Sequence, residues 1–144
     1  MRTIVAALAL VSSQAFACPD LTGTYTCTYS DGSTEIVSMA QENKDGVTVY
    51  TYNGSSVPAD NKAYPVPDDE TLKEGTFRAW CDDTQVLKAE LLGKYYNNGA
   101  YFGDLTLNMD FSIENNNLKQ TTTGMLKSSS GDYPLNNEVL CTRN

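Results

Sequence analysis

The chain of 144 residues has no histidine, a single tryptophan, and ten basic side chains against eighteen acidic ones, a formal net charge of −8. Each shortage excludes something. Without histidine there is no Ser-His-Asp triad, no Cys-His dyad and no histidine-liganded zinc. The scarcity of Lys and Arg argues against a broad nucleic-acid-binding face, because phosphate contacts need cationic density. No apolar run approaches the roughly 20 residues of a spanning helix. There is no Gly-rich phosphate loop, no Gly-x-Ser-x-Gly turn and no Cys-x-x-Cys pair. No metal and no cofactor is expected.

The N-terminus reads as an address. Met1-Arg2-Thr3 carries one positive charge, Ile4 to Val11 is an apolar run of eight, and Ala15-Phe16-Ala17 is a small-x-small cleavage site. This three-part layout predicts a secretory signal peptide over 1–17, cleaved after Ala17, and a secreted or periplasmic protein. The mature chain then has 127 residues, nine of them basic and eighteen acidic. A lipid anchor on Cys18 is the less favoured alternative, since it would leave three thiols in an oxidising space.

All four cysteines (Cys18, Cys27, Cys81 and Cys141) lie in the exported part, so two disulfides are expected. Cys18 and Cys27 flank an extended segment and would stand about 30 Å apart at ~3.3 Å per residue. A disulfide needs Cα atoms within about 7 Å, which disfavours that pair. Two pairings remain. Cys27–Cys141 with Cys18–Cys81 is preferred, because it joins the first strand to the last and lets the N-terminal tail cross the end of a barrel. The other ties Cys27 to Cys81, both in mid-strand.

The mature chain reads as β almost throughout. From Leu21 to Tyr29, Thr alternates with larger residues, the period-2 signature of a strand. Asp31-Gly32, Asp45-Gly46 and Asn98-Gly99 are hairpin signals. Ser33 to Gln41, Val47 to Asn53, Thr76 to Cys81, Gln85 to Leu92, Leu118 to Lys127 and Asn136 to Thr142 are further strands. The longest runs from Ala100 to Glu114: Tyr101, Gly103, Leu105, Leu107, Met109, Phe111 and Ile113 share a dry face, and Asp104, Asn108, Asp110 and Ser112 lie on the wet one. Gly54 to Gly75 contains Pro58, Pro65, Pro67 and Asp68-Asp69-Glu70. It is expected to be a loop, with an edge strand near Lys62 to Val66 and one helical turn over Asp69 to Glu74. Asn53-Gly54-Ser55 also fits a glycosylation acceptor. Sequential hairpins with one apolar face close into a barrel or stack as a sandwich. The expected fold is therefore all-β, one antiparallel up-and-down barrel of about eight strands over 18–144, with a β-sandwich as the alternative.

The opening Cys18-Pro19-Asp20-Leu21-Thr22-Gly23-Thr24-Tyr25, followed by Asp31-Gly32-Ser33-Thr34 and Ile36-Val37, resembles the first hairpin of the avidins. It is also similar to the Gly-x-Trp start of the lipocalins, with Tyr25 in the tryptophan position. Both belong to the calycin barrels. The resemblance covers about the first quarter of the mature chain. It implies a ligand-holding barrel and places Ser33 where avidins have a polar ligand contact. Avidin pockets carry several tryptophans, whereas this chain has only Trp80, so biotin is not implied.

No catalytic constellation emerges. Asp104 and Asp110 share one strand face about 20 Å apart at ~3.3 Å per residue, too far for a glycosidase pair. Asp82 and Asp83 suit a turn, and the run 68–70 suits solvent. The aromatic residues are more suggestive. Tyr25, Tyr29, Trp80, Tyr101, Leu105 and Phe111, with Ser33 from the resemblance, are the candidate ligand-binding residues. The leading expectation is a non-enzymatic barrel holding a small apolar or amphipathic ligand. The alternative is a disulfide-stapled scaffold whose loop 54–75 binds a protein or glycan. An outer-membrane barrel needs an apolar outer band on every strand, and Thr22 to Ser30 offers only Thr and Ser on one side.

Overall fold

Strands form here wherever short alternating segments meet a dipeptide that tolerates positive φ. Asn53-Gly54 (φ 45° and 87°) and Asn98-Gly99 (φ 50° and 78°) both adopt paired left-handed conformations. That geometry matches the twist of flanking antiparallel strands and makes tight hairpins. The computed structural model describes residues 18–144; the expected signal peptide lies outside them.

Ten strands follow in chain order: β1 (Gly23–Thr28), β2 (Thr34–Lys44), β3 (Val47–Tyr52), β4 (Ser55–Pro58), β5 (Tyr64–Val66), β6 (Leu72–Cys81), β7 (Leu87–Asn97), β8 (Ala100–Glu114), β9 (Asn117–Ser128) and β10 (Gly131–Arg143). They form one antiparallel sheet in the order β4-β3-β2-β1-β10-β9-β8-β7-β6-β5. The sheet curls into a half-barrel, so its inward side chains meet across the interior.

The expected eight strands are thus ten. In the segment 54–75 the edge strand expected near Lys62 to Val66 forms, and Ser55–Pro58, expected as loop, is a strand as well. Ser55–Pro58 pairs with β3 and Tyr64–Val66 pairs with β6. Between them, Ala59 N donates to Thr48 O and Asn61 N to Ala79 O, both at 2.8 Å. One segment is therefore bonded to both ends of the sheet. Pro58 and Pro65 are tolerated because both strands are edges, where a missing donor breaks no ladder. The helical turn expected over 69–74 does not form. The Asp69 carboxylate instead accepts the N–H groups of Thr71 (2.6 Å) and Leu72 (2.7 Å), and β6 begins there.

The core joins β1–β3 to β6–β10. Leu21, Tyr25, Cys27, Val37, Tyr50, Leu118 and Cys141 are fully buried, and among the described residues no polar or charged one is buried. The disulfides are Cys18–Cys81 and Cys27–Cys141. Cys27 and Cys141 stand directly opposite in the β1–β10 ladder, Cα atoms 4.0 Å apart. Cys18–Cys81 draws the N-terminal segment across one end of the interior. Two disulfides in a chain with no free cysteine place the domain in an oxidising compartment. No helix among the described residues is long and apolar enough to cross a membrane.

Two glycines let β8 and β9 lie close together. A Cβ on Gly103 would meet the Lys127 carbonyl oxygen, and one on Gly124 would meet that of Thr106. Adjacent backbones approach there more closely than any side chain permits.

Candidate functional site

Inward positions on the two walls do not fill the space between them. On one wall, Val37 and Met39 of β2 alternate inward, followed by Tyr50 and Tyr52 of β3 and Val57 of β4. On the other, Ala79 of β6 stands opposite Ala89 of β7, and Ala89 opposite Met109 of β8. Two alanines side by side leave a gap that the facing aromatics do not close. The result is a cavity of about 300 Å³. Its wall is made by Met39, Tyr50, Tyr52, Ser55 and Val57 on one side and by Phe77, Ala79, Leu87, Ala89, Met109, Phe111 and Gln120 on the other.

The two ends of the cavity are built differently. At the sealed end, the Tyr50 hydroxyl donates to Pro19 O at 2.6 Å and lies 3.9 Å from Cys81 Sγ. Burial pushes that phenol well above the ordinary tyrosine range, and the Asp20 charge adds to it. Tyr25 completes the seal. Its hydroxyl donates to Leu21 O at 3.0 Å, and the Arg143 guanidinium lies 5.4 Å from its ring centre. Arg143 also donates to the Tyr25 oxygen and to Thr22 O.

At the opposite end the Tyr52 ring meets Phe111 edge-on, centroids 6.4 Å apart. Beyond it, the Tyr29 hydroxyl donates to Glu35 Oε2 at 2.7 Å and Asn53 Nδ2 to Glu35 Oε1 at 3.4 Å. The bond to Glu35, followed by burial, holds the Tyr29 phenol up to about 12. The Tyr52 phenol is raised too, first by burial and then by the Glu35 charge.

The residues singled out in the sequence are dispersed. Phe111 lines the cavity. Tyr29 stands beyond its Tyr52 end, linked through Glu35. Tyr25 seals the far end and does not line the space. Ser33 sits in the β1–β2 turn, where its N–H and hydroxyl both bond to Asp31 at 2.9 and 2.6 Å. Trp80 faces the outer side of the sheet, under the Arg78 guanidinium at 5.1 Å, and borders an outer hollow with Lys88, Asn108 and Asp110. Tyr101 is 52% exposed at the hairpin tip and bonds Asp104 at 2.8 Å. Leu105 is half-buried on the inner face, but opposite Gly93 and Leu126, farther along the strand.

Tyr50, Tyr52, Ala79, Ala89 and Gln120 were not among those residues. Period-2 alternation in β3, and the alternation of small with large residues in β6 and β7, are the signals that point to them. Among the described residues no group of three or more Cys, Asp or Glu stands together as a metal site. Neither protein-family models, curated proteins nor solved structures match this chain, so the site rests on its own geometry.

Proposed function

We propose that the chain is an exported calycin-like barrel that holds one small apolar or amphipathic ligand in its interior. The single observation that supports this reading is the cavity of about 300 Å³, walled by Met, Tyr, Phe, Leu, Val and Ala with Ser55 and Gln120 as its polar members. Pockets for small molecules combine this kind of apolar wall with a few polar groups that fix orientation. The volume is about twice that of the ~150 Å³ apolar cavity that accepts benzene. It therefore suits a two-ring compound or a medium alkyl chain. The bonds from the 55–66 segment to both β3 and β6 support a wall that is continuous around this space. The signal-peptide pattern at 1–17 and the paired cysteines support export.

The test is native mass spectrometry of the mature protein with naphthalene derivatives and decyl-chain compounds, paired with the variant Ala89→Leu. One molecule should bind per chain, and the added side chain should abolish binding without unfolding the protein. Failure of every such compound to bind, or equal binding to Ala89→Leu, would overturn the proposal.

A further inference from the structure

The inner face carries little charge. In the registers that join β1 to β4, the inward positions are Tyr25 and Cys27, then Glu35, Val37, Met39, Gln41 and Asn43, then Thr48, Tyr50 and Tyr52, then Ser55 and Val57. Glu35 is the one acid among them. Arg143, opposite Tyr25, belongs to the sealed end. Among the described residues, none of the seven ion pairs includes Glu35.

Its carboxylate is nevertheless held in place. The Tyr29 hydroxyl grips one oxygen at 2.7 Å and the Asn53 amide approaches the other at 3.4 Å. An ionised carboxylate offers about four acceptor sites, so two donors leave room for more. The Tyr29 phenol is in direct contact with the carboxylate, and Asn53, its other partner, directly follows the cavity-wall residue Tyr52 in the chain. A carboxylate beside aromatic rings attracts an ammonium group by charge and through the ring faces. Glu35 is exposed, so a charged head placed there keeps part of its water while an attached apolar body lies in the cavity.

Resting on the cavity reading, we infer that the ligand is an amphipathic amine, its apolar body among Tyr52, Phe111 and Ala89 and its protonated nitrogen at Glu35. A carboxylate head is disfavoured at the same place by like charge.

Isothermal titration of the mature protein with decylamine, decanol and decanoate tests this. Decylamine should bind about fivefold more tightly than decanol, as expected for one exposed ion pair with an aromatic contribution, and decanoate should bind weakest. Glu35→Gln should bring decylamine down to the affinity of decanol and leave decanol unchanged. Glu35→Lys should reverse the order of amine and carboxylate. Equal affinities for the three compounds in the wild-type protein, or an amine preference that survives Glu35→Gln, would overturn the headgroup assignment while leaving the cavity in place. If none of the three binds, the cavity reading fails and this inference falls with it.

Discussion

Phe111 shows how one side chain serves both packing and the site. It is 8% exposed, touches Tyr52 edge-on and closes part of the cavity wall. Phe111→Ala should cost about 3–5 kcal/mol, the usual loss for a large core aromatic, and denaturant titration measures it. A tyrosine gives a second prediction at this scale. The Tyr29 phenol is raised to about 12 in the folded chain, by its bond to Glu35 and then by burial. A folded-state value above the unfolded one (about 10) means that the folded protein retains the proton longer. Its stabilising contribution is complete below pH ~10 and is lost as pH rises from there towards ~12. Alkaline titration followed by tyrosine absorbance and circular dichroism should show Tyr29→Phe losing less stability than wild type in that window. Why only part of the site was legible is also a residue matter. Alternation in β8 marks Phe111 as inward. Nothing local indicates that β1 ends before Tyr29, or that Tyr25 is used to seal the interior.

At the scale of elements, β8 and β9 were readable nearly end to end, whereas β7 runs on to Asn97 past the expected end at Leu92 and β10 begins at Gly131 ahead of the expected Asn136. The segment 54–75 was readable only in part. The edge strand expected near Lys62 to Val66 forms as Tyr64–Val66, whereas the proline in Ser55–Pro58 signals a break in ordinary strands, and only the tertiary arrangement shows that it too is an edge. Asp68-Asp69-Glu70 looks like a solvated run. Yet Asp69 orders the start of β6, and its carboxyl is held below the usual range, first by the Leu72 N–H and then by Thr71. Asp69→Ala should speed hydrogen exchange at the Thr71 and Leu72 amides and leave β8 protected. The close approach of β8 and β9 at Gly124 makes a different prediction. Gly124→Val should cost about 1–3 kcal/mol through backbone displacement, measured by thermal melting. A wild-type melting temperature would contradict the packing described there.

For the whole molecule, the even set of cysteines and the succession of hairpins carried the all-β fold. Strand number did not follow, because the short edge strand Ser55–Pro58 has almost no local pattern of its own. The disulfides close sequence separations of 63 and 114 residues. In the chain-entropy account, each such loop contributes about 4–5 kcal/mol. Replacing Cys27 and Cys141 together by Ser should therefore lower stability by several kcal/mol and leave Cys18–Cys81 intact by mass.

The account depends above all on a space inside the curled sheet that accepts a small molecule. Methyl-detected NMR of the mature protein titrated with decanol addresses it most directly. Saturable one-to-one shifts should appear at the methyls of Met39, Met109, Ala79 and Ala89, with the Trp80 indole unmoved. Absence of shifts at those four methyls, or shifts confined to Trp80 and the outer face, would contradict it.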